Sequence, residues 1–310
     1  MYSPLRTSLS RFVPVRTLNY HVRQWGEPSA GNPPLVLLHG WMDVAASYQF
    51  VVDALSDAFA QGRQILAPDW RGFGLSTLPS PCDHYSFPDY LADLDLLLDA
   101  CVGDQPIDLV GHSMGGNIAM MYGGVRPERI RRLVNLEGFG LPATRPTQAP
   151  TRYAQWIDEI KQLHQGDKAL KTYDSQEGVA QRLTKTNPRL SPDKAQWLAQ
   201  HWAQPNAQGR WEILGDPAHK ITSAQIYRVD EALAIYERIS APVLAVDAGN
   251  DSLGQWWKGR YTMEEYHQRL THVRDCRRAV VDDAGHMLHH DQPHAVATLI
   301  EAFLSENQAK

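Results

Sequence analysis

The chain has 310 residues, 43% of them hydrophobic and 21% charged, which is ordinary for a globular protein and excludes disordered, collagenous and coiled-coil chains. Lysine and arginine number 30 against 35 aspartates and glutamates, a formal net charge of −5, so no basic excess indicates binding to nucleic acid or to an anionic membrane surface. No apolar stretch approaches the roughly 18 residues that span a bilayer.

The cysteines and the N-terminal segment bear on the cellular compartment. Three scattered cysteines, Cys82, Cys101 and Cys276, form neither a disulfide framework nor a CxxC metal pattern. Residues 1–14 have no apolar core or cleavage site typical of a signal peptide. These features predict a cytoplasmic protein.

Short β-rich runs alternate with longer helical patterns in the first part of the chain, which predicts βαβ units and a mostly parallel sheet. The same pattern returns near the C-terminus. Several of these runs are almost wholly apolar, as strands covered on both faces should be. The predicted strands are Arg11–Val15, Leu18–Trp25, Leu35–His39, Gln64–Pro68, Ile107–His112, Ile130–Leu136, Pro242–Asp247 and Ala279–Val281.

Two helices stand out by their apolar spacing. The run from Phe87 to Cys101 follows the i, i+3, i+4, i+7 pattern of an amphipathic helix, with Ser86 as its N-cap and Asp89 completing a capping box. A second such helix begins at about Pro293. Between the two groups of strands, residues 140–239 contain helical patterns, polar loops and four of the nine tryptophans, which predicts a helical insertion.

The strongest local motif is Gly111-His112-Ser113-Met114-Gly115-Gly116, which directly follows an apolar strand and directly precedes a helical run. In such a tight strand-to-helix reversal the central serine has a strained backbone, and a side chain at either glycine would clash. The turn pushes Ser113 out at the carboxyl edge of the sheet. The motif predicts a nucleophilic serine.

A serine hydroxyl needs an adjacent base, and the base needs a carboxylate to fix its tautomer. His286 lies on a loop between the last strand and the last helix and is the predicted base. Asp251, on a glycine-containing loop after Pro242–Asp247, is the predicted acid. The amides of Met114 and Trp41 are the predicted oxyanion donors, because one follows the nucleophile and the other lies on the loop after the third strand.

Taken together, four ordered motifs resemble the α/β-hydrolase superfamily, and they are most similar to its capped, cofactor-free, esterase-like members. The motifs are His39-Gly40-Trp41, residues 69–76, residues 111–116 and Gly285-His286. The resemblance implies an α/β fold with a mostly parallel eight-stranded sheet flanked by helices and a helical cap after strand six. The expected domains are a core of residues 1–139 and 240–310 and a cap of residues 140–239.

The same resemblance leaves the triad acid open. The family's usual Gly-x-x-Asp spacing is absent, because Ala248 stands where that glycine would be. Glu137 follows strand six, a position from which some members supply the acid, and Asp247 is a further alternative.

The implied activity is that of a carboxylesterase-like serine hydrolase acting on an ester or related acyl compound. Acyl transfer, perhydrolysis, carbon–carbon bond hydrolysis and non-catalytic ligand binding on the same fold remain open alternatives. The expected partner is a small acyl molecule, and the chain is expected to be a monomer or homodimer. His39, His112 and Trp256 are predicted to line the substrate pocket.

No cofactor or metal is expected. The histidine run at 286, 289, 290 and 294 lacks an acidic or cysteine partner at the helical spacing of metal ligands, which favours a solvated, partly buried cluster.

Overall fold

A computed structural model of the protein describes residues 2–29 and 31–306. Its centre is one eight-stranded sheet, and strands are numbered along the whole chain. The sheet contains β1 (Leu9–Val15), β2 (Leu18–Trp25), β3 (Leu35–Leu38), β4 (Ile65–Pro68), β5 (Ile107–His112), β6 (Ile130–Leu136), β10 (Val243–Ala248) and β11 (Cys276–Val281). The strand order is β1-β2-β4-β3-β5-β6-β10-β11. Only β2 pairs in antiparallel fashion, with β1 and β4, and the other neighbouring strands are parallel.

Helices cover both faces of this sheet, which explains why β3, β4 and β5 are buried along their whole length. The helices are α1 (Gln49–Ala54), α2 (Asp57–Ala60), α3 (Phe87–Val102), α4 (Met114–Val125), α5 (Ala149–His164), α6 (Gln176–Thr186), α7 (Pro192–Trp202), α8 (Val229–Tyr236), α9 (Ser252–Trp257), α10 (Met263–Leu270), α11 (Leu288–Asp291) and α12 (Pro293–Ser305). One apolar cluster joins the sheet to α3, α4, α8 and α10, and another joins it to α1, α2, α11 and α12.

The segment between β6 and β10 adds no strand to the large sheet in the described residues. It contains α5 to α8 and a small antiparallel sheet of β7 (Thr172–Tyr173), β8 (Ala203–Pro205) and β9 (Trp211–Ile213), in the order β7-β9-β8. The segment expected to be a helical insertion thus also contains a small sheet that the sequence patterns did not predict. In addition, α8 packs against α4 of the core. The division at residues 140 and 239 stays a prediction.

The predicted architecture of a mostly parallel eight-stranded sheet flanked by helices is confirmed, and each of the eight predicted strands corresponds to a strand of the large sheet. The amphipathic helix predicted from Phe87 is α3. Its capping box is not formed, because the Ser86 side chain makes no cap hydrogen bond. No helix among the described residues is long and apolar enough to cross a membrane.

Candidate active site

Ser113 lies at the sharp turn between β5 and α4. Its backbone has φ 53° and ψ −115°, a conformation that side-chain-bearing residues rarely adopt. A Cβ on Gly111 would lie 2.2 Å from the Gly115 carbonyl oxygen, and a Cβ on Gly115 would lie 2.2 Å from the Leu38 carbonyl oxygen. Only glycine therefore fits on either side of the serine, which is the arrangement the motif predicts.

The crowding around Gly115 leads to a prediction about the stability of the fold. Gly115→Ala should lower the free energy of unfolding by about 3 kcal/mol, because the new methyl group meets backbone that cannot rotate away. Gly178→Ala is the matched control, since a Cβ there meets the Tyr173 side chain at an ordinary 3.4 Å within α6. Denaturant unfolding measures both, and equal stability of the two variants would contradict the crowded turn.

The His286 imidazole bridges the serine to a carboxylate. The Ser113 hydroxyl lies 2.9 Å from His286 Nε2, and His286 Nδ1 lies 3.2 Å from Glu137 Oε2. A carboxylate at Nδ1 holds the ring proton there and leaves Nε2 free to accept the serine proton. The three side chains therefore form one continuous hydrogen-bonded chain.

Strand register explains why Glu137 reaches the imidazole. His112 pairs with Leu136 across β5 and β6, so Ser113 and Glu137 are the residues that directly follow paired strand ends. Glu137 is buried, with φ 56°, and its Oε1 accepts a 2.7 Å hydrogen bond from the Ala248 amide. One carboxylate oxygen is thus anchored on β10 while the other faces His286.

The structure corrects the expected pairing of His286 with Asp251. Asp251 lies three residues beyond β10, one strand farther from Ser113 than Glu137 is, and its Oδ1 accepts from the Gly254 amide as the N-cap of α9. Asp247 is also directed elsewhere, with Oδ2 2.7 Å from His267 Nε2 on α10. Within the described residues, the acidic partner of His286 is Glu137.

Burial disfavours charge on both members of the pair. It raises the pKa of the Glu137 carboxyl to about 8, against the opposing hydrogen bond from the Ala248 amide. It lowers the pKa of His286 to about 3. The resting imidazole is therefore neutral, as a general base must be.

The two amides predicted as oxyanion donors lie on segments next to the serine. Met114 is the first residue of α4, and Trp41 lies on the loop after β3. An ideal Cβ on Gly40 would be 3.2 Å from Ser113 Cβ, which places this loop directly against the nucleophile. Within residues 2–29 and 31–306, neither amide donates a hydrogen bond. Both are available to an oxyanion.

A cavity of about 470 Å³ opens over Ser113 and His286. Two of the predicted pocket residues, His112 and Trp256, line this cavity. His112 Nε2 lies 2.7 Å from the His286 carbonyl oxygen. The Trp256 ring meets the His286 ring edge-on, with 4.2 Å between the ring centroids. The prediction that His39 lines the pocket is wrong. His39 is fully buried and lies outside the cavity lining. Its Nε2 accepts a hydrogen bond from the Trp70 amide, and its Nδ1 contacts the Gly40 carbonyl oxygen. Its ring thus contacts backbone of the segments that follow β3 and β4.

The described residues also contain one group that could hold a metal ion. Asp43, His112 and His289 are buried, and each offers a ligand atom within 4.8 Å of the others. Asp43 Oδ2, His112 Nδ1 and both ring nitrogens of His289 have no hydrogen-bond partner among the described residues. Two imidazoles and a carboxylate suit a transition-metal ion, and an ordered water would satisfy the same atoms. The expectation of a solvated, partly buried histidine cluster is wrong for His289 and His290, which are fully buried.

Comparison with known proteins agrees with this architecture. A family model described as the alpha/beta hydrolase fold matches residues 33–293. The chain belongs to the alpha/beta hydrolase fold family.

Individual proteins resemble this chain over almost its whole length. A serine hydrolase-like protein of Danio rerio is 28% identical over 305 residues, covering 97% of this chain and 90% of the relative. Among solved structures, a hypothetical protein of Pseudomonas aeruginosa PAO1 has a TM-score of 0.81 at 24% identity, covering 96% of this chain and 99% of its own. A thioesterase domain from the curacin biosynthetic pathway has a TM-score of 0.78 at 24% identity, covering 95% and 99%.

Proposed function

We propose that the protein is a serine hydrolase that cleaves a carboxylic ester or a closely related acyl compound through an acyl-enzyme intermediate. The hydrogen-bonded chain of Ser113, His286 and Glu137 at the floor of the cavity carries this proposal. The names of the Danio rerio relative and of the thioesterase domain support the same chemistry. A serine at the turn favours an acyl-enzyme intermediate, whereas an aspartate at the same position would favour an alkyl-enzyme ester.

The groups of the site divide the reaction between a nucleophile, a general acid–base, a carboxylate and two oxyanion donors. His286 Nε2 takes the Ser113 proton as the serine oxygen attacks the substrate carbonyl, and Glu137 stabilises the imidazolium that forms. The Trp41 and Met114 amides hold the negative oxygen of the tetrahedral intermediate. His286 then protonates the leaving group, and the acyl group stays on Ser113. Water that gives a proton to His286 attacks the acyl-enzyme, the bond between the acyl carbon and the Ser113 oxygen breaks to release the carboxylic acid, and His286 returns the proton to that oxygen.

A fluorophosphonate probe and a panel of p-nitrophenyl esters of rising acyl length test the proposal. We expect the probe to form one adduct, on the peptide that contains Ser113, and we expect turnover of at least one ester. Adduct formation without turnover of any ester would favour acyl transfer, perhydrolysis or carbon–carbon bond hydrolysis. No adduct at all would exclude the serine nucleophile and leave non-catalytic binding on this fold.

A further inference from the structure

The wall of the cavity includes an arginine that the proposed mechanism does not use. Arg182 lies on α6, and Arg182, Leu183 and Thr186 of this helix all line the cavity that contains Ser113. The Arg182 guanidinium lies over the Trp202 ring, 5.6 Å from its centroid. Trp202 is itself fixed, because its Nε1 donates a 3.0 Å hydrogen bond to Asp43 Oδ1. The arginine is therefore held at the cavity wall by a rigid neighbour.

The other charged side chains of the wall have partners. Arg189 faces Asp283 at 3.6 Å. Asp43 accepts from Ser47 and Trp202, and Asp291 accepts from the Gly285 amide and from Asn187. Arg182 differs, because no acidic group of the described residues lies within ion-pair distance of it and its guanidinium donates no hydrogen bond there.

Further cations lie near Arg182, outside the cavity lining. Burial, followed by the charges of Lys168, Arg182 and Lys171, lowers the pKa of Lys220. The Lys220 ammonium donates to the carbonyl oxygens of Lys168 and Ala169 rather than to a carboxylate. A chain with a net charge of −5 thus gathers several cations around Arg182, which favours an anionic group at that side chain.

We propose that the substrate carries an anionic group, a carboxylate or a phosphate, and that Arg182 binds this group while Ser113 attacks the acyl carbon. The planar guanidinium fork suits bidentate pairing with such oxyanions, and a partly water-excluded cavity strengthens that pairing. The inference rests on the proposed hydrolase function, to which it adds the substrate class. Arg182 acts as a specificity-determining residue and takes no part in proton transfer.

Two matched pairs of esters separate charge from shape. Mono-(4-nitrophenyl) glutarate and its methyl ester differ in one charge on the acyl side, and 4-acetoxybenzoate and its methyl ester differ in one charge on the leaving group. We expect wild-type kcat/KM to favour the anionic member of at least one pair. Arg182→Gln should lower that preference by about ten- to a hundredfold, the usual effect of losing a charge-assisted hydrogen bond.

Controls separate this effect from a change in folding or in the triad. Lys185→Gln removes the same charge from the exposed side of α6, outside the cavity lining, and should leave the preference unchanged. Arg182→Lys keeps the charge without the fork and should retain part of the preference. Equal losses for the anionic and methyl esters in Arg182→Gln, or a wild-type preference for both methyl esters, would overturn the proposal.

Binding without turnover distinguishes failure of the inference from failure of the hydrolase proposal. Calorimetry with Ser113→Ala measures binding of mono-(4-nitrophenyl) glutarate and of 4-acetoxybenzoate, and Ser113→Ala/Arg182→Gln is the comparison. Weaker binding in the double variant supports the anion site even if the wild type turns over no ester. Equal affinities of the two proteins for both compounds would overturn the anion site even if the wild type is an active esterase.

Discussion

Replacing Ser113 with alanine is expected to lower kcat/KM for an ester substrate by about a million-fold, to a residual rate set by the oxyanion donors and substrate binding alone. The hydroxyl is the atom that forms the acyl bond, and it lies 2.9 Å from the base that takes its proton. The same substitution should abolish the fluorophosphonate adduct. Steady-state kinetics and intact-protein mass spectrometry measure the two effects.

The fold of this variant should be unaffected, because alanine keeps the Cβ and removes only the oxygen. Ser86→Ala is a suitable control, since the Ser86 side chain makes no cap hydrogen bond at the start of α3 and lies outside the cavity lining. It should retain full activity. A Ser113→Ala protein that is folded by circular dichroism and still hydrolyses esters at more than about a hundredth of the wild-type rate would exclude Ser113 as the nucleophile.

Local patterns predicted the parts of this fold that depend on local structure. The apolar runs of β3, β5 and β6 predicted buried parallel strands because such strands are covered on both faces. The glycines around Ser113 predicted the turn because the crowding that requires them arises within a few residues of chain and the adjoining strand end. These features needed no knowledge of distant contacts.

The triad acid could not be assigned in the same way. Glu137 and Asp251 both follow strands, and the choice between them depends on the order β5-β6-β10 and on the pairing of His112 with Leu136. Register between strands far apart in the chain is a tertiary property. The one available signal was position: Glu137 directly follows its strand, whereas Asp251 lies three residues beyond β10 and caps α9.

Arg182 was missed for a related reason. It occurs within an ordinary amphipathic helix, and nothing in the surrounding residues marks it as a cavity residue. Its position depends on how the segment between β6 and β10 packs over the loop after β3, where Val44 and Phe50 join Leu183 and Trp202 in one apolar cluster.

Glu137→Gln should lower kcat by roughly ten-thousandfold, because the amide cannot stabilise the imidazolium and can hold the ring in the wrong tautomer. Asp251→Asn should keep kcat within about threefold of wild type, because an asparagine oxygen can still accept from the Gly254 amide as an N-cap. The two substitutions make the same chemical change, so each controls for the other. A large loss in Asp251→Asn with near-normal activity in Glu137→Gln would reverse the assignment of the acid.

The pH dependence of these variants tests the pairing itself. The Glu137–His286 pair is active with Glu137 ionised and the ring proton on Nδ1. It is inactive once Glu137 takes up a second proton, because the carboxylic acid then donates to Nδ1 and the neutral ring carries its proton on Nε2. Burial raises the pKa of Glu137 to about 8, so the pair gives up that second proton at a higher pH than the value of about 6.5 for a free imidazole. Wild-type kcat/KM should therefore rise with pH through neutrality. In Glu137→Gln only His286 titrates, and burial lowers its pKa to about 3, so the residual activity should persist to lower pH. If Glu137 does not share its proton with His286, the acid limb of the plot of kcat/KM against pH will lie at the same pH in both proteins, although Glu137→Gln is slower.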